Sequence, residues 1–433
     1  MSLLTARQEW RAAWPIPFIA MLGLAGTMIL PYSSGVLIGP VTKDLGWTRA
    51  EFSSGFTFQV AVLLFMAPIV GRAIDRFGPR RVLLTGIVPY AIALSAIGFA
   101  ADGRVWQWQL LCGIQGVVGS FIAAPPWMTG VVSRFDTSRG LAVAIALAGV
   151  SLASLMWPIA AAFALGWLGW RLTFAALVGG WALLLLPLTA LLFFAARDLR
   201  GDAGAAARET ARHEPRIGLK ATLKVLRTRA VVLVVTAGCL YLTVSVGLMV
   251  HLVPILEGNG IGLKAAAGLA GLAGLGSLVG RITTGFLLDR FSTRVIGLVA
   301  FSLPVVASVL LMQGLASVAV SALAAVLYGL AAGAETDLVT YLLSRRVPTA
   351  MFGSAYAIVT ALFSLCAGVG PLVAGALYDI GGNYQTFLMA VIPVVLTGGV
   401  LIWLIPPPPI GHGTPEQEAE WAGATAEAVA APN

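Results

Sequence analysis

The sequence predicts an all-α integral membrane protein with twelve transmembrane helices arranged as two six-helix bundles. The chain has 433 residues, of which 58% are hydrophobic and only 11% are charged, and its mean hydropathy is +0.91. A soluble domain carries about 25% charged residues, so a soluble fold of this size would lack polar groups for its surface. Disorder is excluded as well, because it requires low hydrophobicity. Since a spanning helix needs about 20 apolar residues, the chain has room for about a dozen.

The apolar runs define the individual spans, most of which carry no charge in their interior. We place them at residues 15–40, 51–74, 80–100, 106–133, 139–165, 169–196, 229–256, 264–288, 294–314, 316–344, 350–377 and 385–405. The longest polar stretch separates the first six from the last six. The predicted domains are therefore a first bundle at 1–196, a basic cytoplasmic linker at 197–228, a second bundle at 229–405 and an acidic, disordered cytoplasmic tail at 406–433.

The basic residues predict the orientation in the membrane. With the N-terminus in the cytoplasm, 21 of the 27 Lys and Arg residues face the cytoplasm, five face outside and Arg281 lies within a span. This asymmetry follows the positive-inside rule and places both termini inside. The net charge of +8 is thus explained by short loops between apolar runs, and no nucleic-acid partner is expected. We expect a monomer in the lipid bilayer of the cell membrane, of the bacterial inner-membrane type.

Motifs for enzymatic or metal chemistry are missing from the sequence. It contains no P-loop, no HExxH and no GxSxG motif, and its rare acids are not arranged as a catalytic pair. The three cysteines, Cys112, Cys239 and Cys366, lie in different apolar runs without a CxxC partner. We therefore expect a protein that is not an enzyme and that uses no cofactor or metal.

A charged loop occurs twice, each time after the second span of a half. The first copy, at 71–81, contains Gly71, Asp75, Arg76 and Arg80, and the second contains Gly285, Asp289, Arg290 and Arg294, at an offset of 214 residues. An Asp in such a loop can accept from helix N-terminal amides and pair with neighbouring arginines. Two spaced copies indicate duplicated halves, which is a transporter architecture.

With these loops, the chain resembles the major facilitator superfamily over residues 12–405, since the first copy matches that superfamily's G-x-x-x-D-R-x-G-x-R-R motif. The resemblance implies a central substrate cavity and rocking between outward-open and inward-open states. It also implies gating roles in the first half for Asp75, Arg76 and Arg80, and in the second half for Asp289, Arg290 and Arg294.

A narrower resemblance, to the monocarboxylate transporters and the oxalate:formate antiporters, begins the fifth span. Residues 134–149 resemble the monocarboxylate transporter signature, with matches at Leu141, Ala142, Ala146, Ala148 and Gly149 and Ala144 in place of a glycine. Small residues of this kind let helices approach closely. The first-span signature of that group, acid-Gly-Gly-Trp-Gly-Trp, is absent, and residues 9–14 are only a faint echo of it.

Ionisable residues within spans are costly and indicate function. Arg281 in the eighth span is the candidate anion site, because a guanidinium binds a carboxylate bidentately and keeps its charge. In the monocarboxylate transporters, an Arg stands four residues before the motif Gly, with an Asp four residues earlier; here that position is Ser277. We expect the partner acid at Glu335 of the tenth span, at a similar depth, and we take Glu335 or Asp337 as the proton carrier. A structural Arg281–Glu335 pair and a capping role for Asp337 are the alternatives.

Aromatic residues at mid-membrane depth are further candidates for substrate contacts. Tyr32 and Tyr241 lie in the first and seventh spans, which line the cavity in the superfamily, and Trp127 follows a proline pair in the fourth span. Packing in the interior is the alternative for each of them. His251, near the outer end of the seventh span, is interpreted as a polar anchor.

The sequence thus predicts a proton-coupled carrier of small organic anions, with monocarboxylates as the expected substrates. The oxalate transporters have a second cation, a Lys, in the eleventh span. This sequence has no Lys there, and a single strong cation favours a monoanion over a dianion. The alternatives are an organic anion exchanger, an exporter of drugs or metabolites, and a receptor-like protein that uses a transporter fold without transport.

Overall fold

The computed structural model describes residues 6–135, 137–195, 219–288, 290–314, 316–347 and 349–405. These residues form helices joined by short loops. The helices are α1 (Ala6–Ala13), α2 (Pro15–Thr27), α3 (Ile29–Leu45), α4 (Arg49–Phe77), α5 (Pro79–Ala100), α6 (Val105–Ser120), α7 (Ala124–Val132), α8 (Arg139–Leu192), α9 (Leu219–Leu226), α10 (Arg229–Gly258), α11 (Leu263–Leu288), α12 (Thr293–Met312), α13 (Val318–Ser344), α14 (Thr349–Gly381) and α15 (Gln385–Trp403).

The described helices accommodate the twelve predicted spans. Ten helical segments are long and apolar enough to cross a membrane, and α4, which bends by 47°, adds an eleventh. The segment α8 has 54 residues and is broken at Gly169, whose φ of 70° is left-handed. At about 1.5 Å per residue it measures about 80 Å, more than twice a hydrocarbon core of about 30 Å, so it holds two spans. The prediction of an all-α, twelve-span membrane protein is confirmed.

The chain divides into two compact units that are not continuous in sequence. The first comprises the described residues of Met1–Glu214 together with Met249–Gly274, and the second those of Pro215–Leu248 and Leu275–Asn433. The end of α10 and the start of α11 therefore belong to the first unit. The predicted linker at 197–228 lies mostly outside the described residues, as does the predicted tail at 406–433, and the domain boundaries stay a prediction.

Pro31 explains a break in the first span of the first unit. Proline has no N–H to donate to the carbonyl four residues earlier, and its ring clashes with that carbonyl. The helix accordingly ends at Thr27, and α3 begins at Ile29. Carbonyls just before the break also accept from side chains: the indole N–H of Trp157 donates to Ala25 (2.7 Å) and the hydroxyl of Tyr90 to Gly26 (3.0 Å). These two carbonyls are thus satisfied inside the unit, as an apolar membrane requires.

The small residues of the fifth span serve the packing of α8 against α2. Ala142 and Ala146 are fully buried, and a Cβ added at Gly149 would lie 2.1 Å from the carbonyl oxygen of Met21. The two backbones are therefore in direct contact, which explains why this stretch of the signature has small side chains.

Candidate functional site

The candidate site lies in the second unit, where glycines bring the backbones of α11 and α13 into contact. Gly276 and Gly280 are one helical turn apart on α11, in the small-xxx-small spacing of close membrane helix pairs. A Cβ at Gly280 would lie 2.3 Å from the carbonyl oxygen of Leu330, and a Cβ at Gly333 would lie 2.1 Å from that of Ser277. No side chain fits between the helices at these levels. The close approach places the residues that flank the glycines opposite each other.

Arg281 and Asp337 form an ion pair across this contact. Nη1 of Arg281 lies 3.3 Å from Oδ1 of Asp337, and the two side chains are 19% and 31% exposed. A charge-assisted hydrogen bond is usually 2.7–2.9 Å long, so this contact is loose. Nε of Arg281 is buried and has no hydrogen-bond partner within the described part of the chain. The guanidinium thus has donors to spare for a second anion.

Glu335 is close to this pair but does not take the predicted place beside Arg281. Its side chain is 1% exposed, and its Oε1 has no hydrogen-bond partner among the described residues. Oε1 lies against α10, 3.5 Å from the position of a Cβ at Gly238. The expected pairing of Arg281 with Glu335 is therefore replaced by pairing with Asp337. The physical reason is helical rotation, since residues two apart on an α-helix point about 200° apart.

Tyr241 is enclosed by the interior of the second unit. It is 1% exposed, its ring packs against Phe301 at 5.1 Å between centroids, and with Ser245 it lines a space too small to hold a water molecule. The hydroxyl makes no hydrogen bond of ordinary geometry to a described residue. In this conformation, a substrate could not reach it without repacking. Tyr32, by contrast, is half-buried just after the break in the first span and stays a candidate.

Trp127 is a packing residue in this structure, contrary to its predicted substrate contact. It is fully buried, and its indole N–H donates to the carbonyl of Ile122 at 2.8 Å. Its ring meets Phe193 edge-on at 5.2 Å between centroids, and it covers Gly23, where an added Cβ would lie 2.3 Å from the indole. A buried Trp whose N–H is satisfied offers a ligand no polar group.

His251 is completely buried in the first unit. Its Nε2 lies 3.3 Å from the hydroxyl of Ser53 on α4. The residue therefore links the end of α10 to the start of α4, which agrees with its interpretation as a polar anchor.

The two charged loops make the same contact in each half of the chain. Arg80 donates to the carbonyl of Ala190 near the end of α8, and its guanidinium lies 4.2 Å from the ring centroid of Phe194. At the matching position of the second copy, Arg294 donates to the carbonyl of Ile405, after the end of α15, at 3.1 Å. Each Arg thus satisfies a carbonyl at the end of the last helix of its half. This correspondence agrees with the internal repeat that the sequence predicts.

The other predicted gating residues lie at the surface of their units. Asp75 and Arg76 are exposed, and Arg76 lies beside the ring of Phe77 at 5.3 Å. Arg290 is exposed and covers the ring of Phe286 at 3.7 Å. Asp289 lies outside the described residues. Their gating roles stay predictions.

Sequence reasoning missed the role of Glu9, an acid that connects residues 9–14 to the start of the fifth-span signature. Glu9 on α1 is only 4% exposed and accepts from the N–H of Thr137 (2.8 Å) and from the N–H and hydroxyl of Ser138 (3.0 and 2.7 Å). It thereby caps the N-terminus of α8, where a negative charge is favoured. Trp10 packs on Phe135 at 5.0 Å between centroids. The faint echo at residues 9–14 was the signal, because it contacts the start of the fifth-span signature.

Sequence reasoning, which considered ionisable residues within the spans, also missed a pair of buried glutamines. The amide of Gln59 donates to that of Gln115 at 2.6 Å, inside the first unit, and both side chains are buried. Two glutamines within otherwise apolar runs were the available signal.

The family model and the relatives that match this chain are those of membrane transporters. A family model described as the Major Facilitator Superfamily matches residues 18–365 and 314–432. Monocarboxylate transporter 13 of Bos taurus is 26% identical over 389 residues, which cover 86% of this chain and 87% of the relative. Monocarboxylate transporter 11 of Homo sapiens is 29% identical over 373 residues, or 83% and 74% of the two chains.

Solved structures share the fold at low sequence identity. A D-xylose-proton symporter superposes with a TM-score of 0.71 at 18% identity, covering 91% of this chain and 98% of the other. A bacterial homologue of the human lysosomal transporter Spinster gives a TM-score of 0.69 at 15% identity, with 92% and 96% covered. At these identities, the likeness concerns the fold alone.

Proposed function

Because the chain belongs to the Major Facilitator Superfamily and is a multi-pass membrane transporter, we propose that it carries small monocarboxylates together with protons. The family confirms the prediction of a transporter rather than an enzyme. The names of the relatives from Bos taurus and Homo sapiens support a monocarboxylate as the substrate class. We further propose that the protein lies in a cell membrane with both of its termini in the cytoplasm.

The observation that carries the proposal is the loosely paired Arg281. Its charge is permanent, its Nε is unpartnered, and its one side-chain hydrogen bond to a described residue is 3.3 Å long. A substrate carboxylate can accept two N–H groups from a guanidinium, whereas Asp337 accepts one here. The substrate therefore competes well for Arg281 and releases Asp337.

Charge balance in the membrane interior then couples the proton to the anion. The empty site is neutral when Arg281 pairs with Asp337. A bound anion without a proton would leave one uncompensated negative charge, which is costly in an apolar interior. A proton on the released Asp337 restores neutrality, so the anion and the proton move together. Glu335, buried beside the pair, is the second carboxyl able to hold that proton.

The test is uptake of labelled monocarboxylates into proteoliposomes, with and without an inward proton gradient. We expect gradient-driven accumulation by the wild type and none by Arg281→Ala. Asp337→Asn should keep downhill transport but lose accumulation, and Glu335→Gln shows whether the second carboxyl is also required. Arg104→Ala is the matched control, because this arginine is 67% exposed and pairs with the surface residue Asp102. It should behave as the wild type.

Two outcomes would contradict the proposal. Uptake that requires internal anion and ignores pH would indicate an exchanger. No uptake of any acid, by protein that elutes as a single folded species, would indicate export of a different substrate class.

A further inference from the structure

Two cysteines of the second unit lie side by side on neighbouring helices. Cys239 is on α10 and Cys366 is on α14; both are free thiols and both are half-buried. Cys239 is one helical turn before Thr243 and Cys366 is one turn before Gly370. A Cβ at Gly370 would lie 2.0 Å from the carbonyl oxygen of Thr243, so the two cysteines lie on the facing sides of the two helices at the same level. They come from distant parts of the sequence, so their meeting is a property of the fold.

Helix packing above and below the pair fixes this register. A Cβ at Gly238 would lie 2.6 Å from the ring of Phe363, and a Cβ at Gly370 would lie 2.0 Å from the carbonyl oxygen of Thr243. Residue numbers increase in the same direction along both helices from one contact to the next, so α10 and α14 run parallel here. Residues 239 and 366 fall between these two levels of direct contact.

A carboxyl group completes the surroundings of the two thiols. Oε1 of Glu335 lies 3.5 Å from the position of a Cβ at Gly238, the residue next to Cys239, and it is buried without a hydrogen-bond partner in the described part of the chain. The described residues contain no group of three or more His, Cys, Asp or Glu side chains placed to hold a metal ion. The donor set is therefore two sulfurs, which suits soft, thiophilic ions and metalloids rather than a tetrahedral zinc.

We propose that Cys239 and Cys366 form a dithiol site that binds soft thiophilic metals or trivalent arsenicals and bridges α10 to α14. With an organoarsenical oxide, the two thiols each form an As–S bond, and the two thiol protons leave with the oxide oxygen as one water. Neither cysteine is oxidised, and arsenic stays trivalent. Because the bridge fixes α10 to α14, it should restrict any transport step in which these helices shift.

Phenylarsine oxide is the direct probe of this site. Purified full-length protein is treated with phenylarsine oxide and washed with the monothiol glutathione. The mass of the intact chain is then measured by mass spectrometry. We expect one arsenical per chain that resists glutathione and is released by 2,3-dimercaptopropanol. Binding should also raise Tm, because it cross-links two helices. These readouts require no transported substrate, so they are independent of the proposed function.

Single substitutions identify the ligands. Cys239→Ser and Cys366→Ser should each reduce glutathione-resistant binding to background, and Cys239→Ala repeats the test should the serine variant fold poorly. Cys112→Ser is the matched control, since Cys112 is buried in the first unit. It should bind as the wild type does. Resistant binding that persists without Cys239, or none by the wild type, would overturn the proposal.

Discussion

Gly333→Ala tests whether close helix contact builds the anion site. The new Cβ would lie 2.1 Å from the carbonyl oxygen of Ser277 and 2.9 Å from the backbone nitrogen of Arg281. An ordinary contact begins at about 3.4 Å, so α11 and α13 must separate by about 1.3 Å at this level. A displacement of that size would lengthen the 3.3 Å Arg281–Asp337 contact beyond 4 Å and move Arg281 itself.

The magnitudes follow from packing and from the position of Arg281. Overpacking costs about 1–3 kcal/mol, and replacing a helical glycine by alanine returns about 1 kcal/mol, so the net loss of stability is about 0–2 kcal/mol. A displaced Arg281 loses a charge-assisted hydrogen bond to the substrate carboxylate of about 1.5–3 kcal/mol, which corresponds to about a tenfold to hundredfold fall in uptake rate. Function should therefore suffer much more than stability.

The assay compares initial uptake and Tm with those of Gly268→Ala. Gly268 is on the partner helix α11, and an added Cβ there would meet no atom within 4 Å. This control gains the same helix propensity without a clash, so it should keep wild-type uptake. If Gly333→Ala transports as well as Gly268→Ala, the close contact does not position Arg281, and the reasoning fails.

Two further predictions concern the contacts that hold each unit together. Glu9→Gln should destabilise the purified protein by about 1–3 kcal/mol, because a neutral amide accepts the N–H bonds at the start of α8 less strongly; a wild-type Tm would refute this. Arg294→Ala should lower the free energy of unfolding by about 1–3 kcal/mol, seen as a lower Tm, since the carbonyl of Ile405 loses its donor. Arg290→Ala, which removes an exposed arginine, should change Tm little, and equal shifts for the two variants would contradict the assignment.

Sequence patterns predicted the helices well because hydrophobicity acts locally along a membrane span. The same patterns could not predict contacts between distant segments. The loop repeat identified Arg80 and Arg294 as a matched pair, but their carbonyl partners are 110 and 111 residues away. The nearly equal separations follow from the duplication, so the two contacts support each other.

The choice between Glu335 and Asp337 shows where depth alone fails. Rise per residue, about 1.5 Å, places both acids within about 3 Å of each other along α13, so depth cannot separate them as partners of Arg281. Rotation separates them, since two residues turn the helix by about 200°. Which acid faces α11 is then decided by the contact edge of α13, and Gly333 marks that edge because a Cβ there would lie 2.1 Å from the carbonyl oxygen of Ser277. Asp337 is four residues, or about one turn, beyond Gly333 and shares its face, whereas Glu335 does not. A glycine one turn from an acid is therefore the sequence feature that favours Asp337, and it becomes decisive only when the partner helix is known.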